Sequence, residues 1–332
     1  MGEKTLARRS RLDFAKMIAA IWVVAIHIGP FSEINQYLDY FLVYVFGRLA
    51  VPLFFTITGY FVLSYGDSTN KKIISFLKHI IFLYLFSIIL YLPLTLHNGI
   101  GSTTLINIIK VLIFDGTMYH LWYFPALVIG LIITYNLLNL LGAKITTIIC
   151  FLLYIIGVFG DNYYGLIKEI TIIKDVYDCI FYFSSYTRNG VFFAPLFLLL
   201  GYLIRYKNPE KNVNILLMVC SLFMLVMEGG IVELFDLSKH GAMFFSLPIC
   251  LWTIFPLFLY GLKANTRFIS DMATGVYIIH AWVIAIIFRI FRSTSLGLLG
   301  KYILVLIFSI LLSIICIRIK NRRKIKDVIP RK

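Results

Sequence analysis

The sequence predicts an all-α integral membrane protein, a bundle of about ten transmembrane helices with both termini in the cytoplasm. Three observations predict it. Apolar runs of crossing or near-crossing length fill nearly the whole chain. The composition is 60% hydrophobic and only 14% charged, where a water-soluble domain carries about 25% charged residues, so lipid is the solvent for most side chains. Basic residues crowd every second connection, the asymmetry that sets membrane orientation.

A crossing needs about 20 apolar residues. On that length the spans fall at 13–31, 40–65, 76–95, 120–141, 145–160, 190–205, 213–231, 243–262, 273–291 and 298–318. The first follows a basic N-terminus without a small-residue cleavage site and reads as a signal anchor. The run 105–114 is too short to cross and reads as interfacial or re-entrant. With the N-terminus inside, cytoplasmic segments hold 21 Lys and Arg, from Lys4, Arg8, Arg9 and Arg11 to the tail beyond Arg318; outside segments hold eight. Losing one span would invert every later loop, so this imbalance supports an even count. The domain reading is a membrane domain over 1–318 and a basic tail over 319–332, which serves lipid contact and topology or links to a further cytosolic domain. Of the outside loops, 161–189 mixes Tyr163, Tyr164, Tyr177, Phe181 and Tyr182 with Asp161, Glu169, Asp175 and Asp178, as a lid or a plain connector would.

The net charge of +15 would suggest nucleic acid on a soluble protein. Here it sits in loops and tails, so anionic headgroups of the bilayer are the partner and nucleic acid is not. The five cysteines form no C-x-x-C or Cys/His cluster and read as small packing residues. No two histidines share an H-x-x-x-H spacing, so no metal site is expected.

Ionisable residues inside spans are costly in lipid and mark function. In the first span Lys16 and His27 are eleven residues apart, about three turns, so they share a face. Lys16 lies toward the cytoplasm, where it can snorkel to headgroups. His27 lies toward the outer leaflet, where it can act as a base or meet a neighbouring helix. Arg48, in RLAVPLFFTITGYF, is expected either to clamp a substrate carboxylate or to form an ion pair, for which Glu228 is the partner suggested by depth. His120 stands at the mouth of the fourth span beside Trp122 and Tyr123, and Asp115 lies close in sequence. Tyr277 and His280 are three apart on the ninth span and share a face. Asp236, Lys239 and His240 fall together in an outside loop.

The chain resembles acyltransferase family 3, the ten-span bacterial membrane acyltransferases, whose first span carries a basic residue, ten intervening residues and a histidine, matched by Lys16 and His27. Within that family it looks most like the N-terminal membrane domain of the VanT-type serine racemases of vancomycin resistance, through RLAVPLFFTITGYF, YHLWYFPAL, TRNGVFFAPLF, KHGAMFFSLP and VYIIHAW. The resemblance implies a cytosolic racemase domain after the last span, and a role in bringing L-serine across the bacterial plasma membrane for peptidoglycan precursors ending in D-Ser. It also implies acyl-CoA as donor in the family's enzymes, held by an R-x-x-R pair. Here SFLKHIIF offers only Lys78 and His79 at that place, and Gly241 and Ala242 follow Lys239 and His240 where related racemase domains have an acidic residue.

Two readings stay open. In one, L-serine enters an outward cavity lined by His27, Arg48, His120, Glu228, Tyr277 and His280, with Arg48 on its carboxylate and Glu228 on its ammonium. In the other, an acyl group moves from cytosolic acyl-CoA, reached past Lys16, Lys78 and His79, to an acceptor hydroxyl deprotonated by His27, with Arg48 stabilising the oxyanion.

Overall fold

The computed structural model describes residues 10–63, 68–97, 104–207, 214–259 and 266–328. Several inside basic residues, Lys4, Arg8, Arg9, Lys211 and Lys263, and tail residues 329–332 lie outside them. Among the described residues the secondary structure is helical and contains no strand. The helices are α1 (Ser10–Ile28), α2 (Gln36–Asp39), α3 (Ala50–Val62), α4 (Ser68–His97), α5 (Leu105–Lys110), α6 (Tyr123–Phe159), α7 (Tyr164–Ile167), α8 (Thr171–Phe183), α9 (Ala194–Lys207), α10 (Ile215–Leu234), α11 (Ser246–Leu259), α12 (Arg267–Ile290) and α13 (Leu298–Val328).

Among the described residues, six helical stretches could by length and composition cross a membrane: Gln36–Val62, Asn70–His97, Tyr123–Phe159, Ile215–Leu234, Arg267–Ile290 and Leu298–Asn321. Two expected spans, 120–141 and 145–160, fall within the single stretch Tyr123–Phe159, which breaks at Gly142 (φ 72°, ψ 170°), a conformation outside the helical region. The expected spans at 190–205 and 243–262 are α9 and α11, each of 14 residues, about 21 Å of helix and short of a full hydrocarbon core. The 19-residue α1 carries Arg11, Asp13 and Lys16 in its first turns. The run 105–114 folds as α5 continued by a π-helical turn over Val111–Asp115.

The chain folds as two compact units. Unit 1 comprises Met1–Ala50 with Phe258–Lys332, and unit 2 comprises Val51–Leu257. In unit 1, α1 lies against α12 and α13. Ala20, Val24, Ile28, Ala273, Val276, Val283, Ile287 and Val305 form its buried core. These are small or β-branched side chains that let helices approach closely where lipid gives no hydrophobic drive.

In unit 2, α3 and α9 approach each other closely. A Cβ on Gly59 would lie 1.9 Å from the Leu198 carbonyl oxygen, and one on Gly201 would lie 2.0 Å from that of Thr56. Each glycine therefore admits the other helix's backbone. The loop 161–189 contains the short α7 and the amphipathic α8, and it is pinned to residues 235–243. The Gly165 N–H donates to the Leu237 carbonyl (2.8 Å), and the Lys239 N–H donates to the Asp161 carbonyl (2.9 Å).

Candidate functional site

Unit 1 brings Lys16, His27, Tyr277 and His280 to one seam. Lys16 Nζ donates to Ser270 Oγ (3.1 Å) and lies 3.9 Å from Asp13 Oδ1, while Thr266 Oγ1 donates to Asp13 Oδ2 (2.6 Å). Eleven residues along α1, the His27 ring stacks on that of His280, centroids 5.5 Å apart and planes 16° from parallel. Ser270 and His280 are ten residues apart on α12, so α1 and α12 run side by side in the same direction. Both residues of the predicted stripe face α12, as three full turns require. The Lys16 end is therefore a polar tie between two helices, and the His27 end is an aromatic pair.

His280 is fully buried. Its Nδ1 lies 2.8 Å from the Tyr277 carbonyl and 3.2 Å from that of Val276. Carbonyl oxygens only accept, so Nδ1 carries the proton and Nε2 holds the lone pair. The Tyr277 ring is 6.0 Å away at 52°. An imidazole fixed in one tautomer by its own helix has a defined basic edge, the property required of a proton acceptor or of a hydrogen-bond partner for a hydroxyl.

Arg48 belongs to unit 1 as well. It sits in a 3₁₀ turn, Phe46–Leu49, that follows a π-helical turn over Tyr40–Val45. Such departures from α geometry inside a helical run are frequent at functional sites. Its guanidinium carbon lies 5.6 Å from the Tyr44 ring centroid. The segment is held to α1 by Trp22 Nε1, which donates to the Leu42 carbonyl (3.1 Å).

The remaining expected residues lie in unit 2. His120 is buried (1% exposed) between the rings of Tyr91, 4.9 Å away, and Tyr119, 5.4 Å away. Glu228 accepts four hydrogen bonds. The N–H groups of Phe245 (2.6 Å) and Ser246 (2.8 Å), the Ser246 hydroxyl (2.6 Å) and the Tyr163 hydroxyl (3.0 Å) all donate to its two oxygens. The carboxylate thus caps the N-terminus of α11, where backbone donors and helix dipole favour negative charge. Burial first, then the Glu228 charge and this hydrogen bond, push the Tyr163 hydroxyl well above its ordinary range and keep it a donor. Lys78 and His79 are exposed on α4. Arg48 and Glu228, paired by depth in the sequence, belong to different units, and Glu228 has its donors within its own.

Sequence reasoning passed over Asp13, Ser270 and Thr266, which organise the Lys16 end of the seam. Asp13 was legible, since it lies three residues before Lys16 on the same face. Ser270 and Thr266 were not, because their partners lie more than 250 residues away. Asp161, fully buried, accepts at Oδ1 from the N–H groups of Ala242 (2.6 Å) and Met243 (3.0 Å). Gly241 precedes them at φ +67°, a left-handed turn that glycine adopts without strain. That turn accounts for the glycine after His240, and the N–H groups of the next two residues, Ala242 and Met243, meet the acid. Among the described residues no group of three or more His, Cys, Asp and Glu could hold a metal ion.

Comparison with known proteins bears on this geometry. A family model described as an acyltransferase domain matches residues 9–318. A protein named amino-acid racemase from Enterococcus faecalis is 36% identical over 337 residues, covering 97% of this chain and 48% of its own. A serine/alanine racemase from Enterococcus gallinarum is 33% identical over 323 residues, covering 94% of this chain and 46% of its own. The chain thus spans about half the length of these curated relatives. No solved structure matches.

Proposed function

This chain belongs to acyltransferase family 3, and from that premise we propose that it is the membrane domain of a racemase-type protein of the bacterial plasma membrane, binding L-serine and helping it cross to supply peptidoglycan precursors ending in D-Ser. The proposal includes about ten crossings with both ends in the cytoplasm, a cytosolic racemase domain as partner, and a contribution to vancomycin resistance. The observation that carries it is coverage: nearly the whole chain aligns with proteins named racemases that are about twice as long. A membrane half joined to a racemase half has a chemical rationale if the first delivers the amino acid that the second inverts.

In this reading Arg48 takes the serine carboxylate, since a guanidinium fork matches two oxygens. The serine hydroxyl meets the His27–His280 pair, whose tautomer is fixed, with Tyr277 alongside. His120, walled by tyrosines, is the corresponding candidate in unit 2. Glu228 was expected to take the ammonium; with four donors on its oxygens, its part here is to hold α10 to α11. The test is uptake of labelled L-serine by proteoliposomes containing the purified chain. Arg48→Ala should lower the rate about tenfold or more, the loss of a charge-assisted bidentate contact. Uptake equal to wild type rejects the reading.

The family model itself favours a second reading, acyl transfer. His27 would take the proton of an acceptor hydroxyl as its oxygen bonds to the thioester carbonyl of acyl-CoA. The carbon–sulfur bond then breaks, and the proton passes to the leaving thiolate. Lys78 and His79, exposed on α4, stand where the CoA-binding arginines would be. Acetyl-CoA binding together with hydrolysis abolished by His27→Ala would establish it; the absence of both removes it.

A further inference from the structure

Two strings carrying the resemblance, TRNGVFFAPLF and KHGAMFFSLP, serve neither reading above, yet in unit 2 they meet. Arg188 lies with its guanidinium carbon 4.4 Å from the Tyr186 ring centroid and 5.3 Å from that of Trp122. Its Nε is buried without a hydrogen-bond partner. The described ion pairs include neither Arg188 nor Lys239. A guanidinium lying on ring faces keeps its N–H edge in plane, and that edge is the fork that fits an O–C–O group.

The neighbouring groups add to this. His240 shares the Tyr186 ring with Arg188, at 4.6 Å between centroids, and touches Phe181 at 6.4 Å. Its Nε2 is buried without a partner. Lys239 Nζ sits 3.3 Å from the Phe181 centroid and 4.5 Å from that of Tyr164. Lys110 Nζ donates to the Phe181 carbonyl (2.7 Å). Two carboxylates face the group. Asp178 acts on Lys239 through space, and Asp115 Oδ1 accepts the Ser185 N–H (2.9 Å). The fixed cations Lys110, Arg188 and Lys239 are met by these carboxylates and by Asp161, which holds the backbone of 239–243, so what selects a carboxylate is the planar fork of Arg188. Burial first, then the charges of Lys239 and Arg188, lower His240 from 6.5 to about 4, so its ring is neutral at pH 7 and adds a polar edge without a fourth charge.

The walls are set in advance. The Asn189 side chain accepts from the N–H groups of Val191 (2.9 Å) and Phe192 (3.1 Å) and donates to the Tyr186 carbonyl (2.9 Å). Residues 239–243 are pinned by Asp161 as described above. Preorganised recognition loses little free energy to ordering on binding.

We propose that Arg188, seated on Trp122 and Tyr186 beside Lys239, His240 and Phe181, is a binding site for small carboxylate anions, separate from Arg48. It stands independently of the transport reading. The test is calorimetric titration of the full chain in detergent with sodium acetate, L-serine and inorganic phosphate. Acetate and L-serine should bind, and Arg188→Ala should weaken acetate about tenfold or more, the loss of a bidentate charge-assisted contact. Arg48→Ala should remove at most a second carboxylate contact and leave acetate bound at Arg188. Tyr186→Leu, which keeps the guanidinium and removes its seat, should also weaken acetate. In wild-type protein acetate should slow hydrogen–deuterium exchange over 184–189 and 237–243, a readout that needs no variant. The proposal is overturned if wild type does not bind acetate, if Arg188→Ala binds it as wild type does, if Arg48→Ala abolishes the binding, or if phosphate binds more tightly than acetate.

Discussion

His280 in α12 and Glu228 in α10 are both polar residues of long apolar helices, and their surroundings differ in kind. His280 bonds to carbonyls of its own helix and lies against the ring of a second histidine. Glu228 takes four donors from outside its helix, two of them backbone N–H groups at the start of α11. Removing the first leaves few groups without partners, because helix carbonyls at i−3 and i−4 already accept backbone bonds. Removing the second strands several donors at once. Burial of a polar residue in a span is therefore no measure of its role; the number of donors that converge on it is.

The largest test of that contrast is Glu228→Ala, which orphans the Phe245 and Ser246 N–H groups and should cost about 3 kcal/mol of stability. It is read from thermal or denaturant unfolding in detergent, and a loss below about 1 kcal/mol would break the comparison. Next comes Gly201→Val, which sets a branched side chain against the Thr56 carbonyl and should cost about 2 kcal/mol by overpacking. The same readout checks it, with Gly59→Ala as a second site on the same crossing. His280→Leu should by contrast change the unfolding midpoint little while lowering L-serine uptake per folded molecule. The opposite pattern, a large drop in stability with normal uptake, would put His280 with Glu228.

The Lys16–Ser270 contact should be smaller again. A double-mutant cycle of Lys16→Met and Ser270→Ala should give about 0.6 kcal/mol, the usual worth of an interhelical hydrogen bond in a membrane protein. The last effect, read from pH dependence and not from a single midpoint, concerns His240, whose ring in the folded protein is lowered from 6.5 to about 4. Between those values the unfolded chain binds more protons than the folded one, so stability falls as pH drops through the window. His240→Gln should flatten that slope relative to wild type, and identical pH profiles would contradict the environment described for it.

Much of this was legible in the sequence where the cause is local. Helical periodicity placed Lys16 and His27 on one face, and that face meets α12. The break between the fourth and fifth expected spans falls at Gly142. What was not legible depends on distant pairing. No local signal tells that His27 stacks on a ring 253 positions away, or that Glu228 meets the first N–H groups of α11. The π-helical and 3₁₀ turns before α3 were also invisible, since their side chains read as one uninterrupted apolar run.

Gly142 has nothing within 4 Å of the position its Cβ would take. A helix break with such open space tolerates added chain; the contact an insertion there disturbs is the Thr146 hydroxyl's bond to the Gly142 carbonyl (2.7 Å). A short epitope inserted after Gly142 should therefore leave the fold intact and act as a flag on one face of the bilayer. Antibody reaching it only after the cells are permeabilised would anchor the whole topology at a single point.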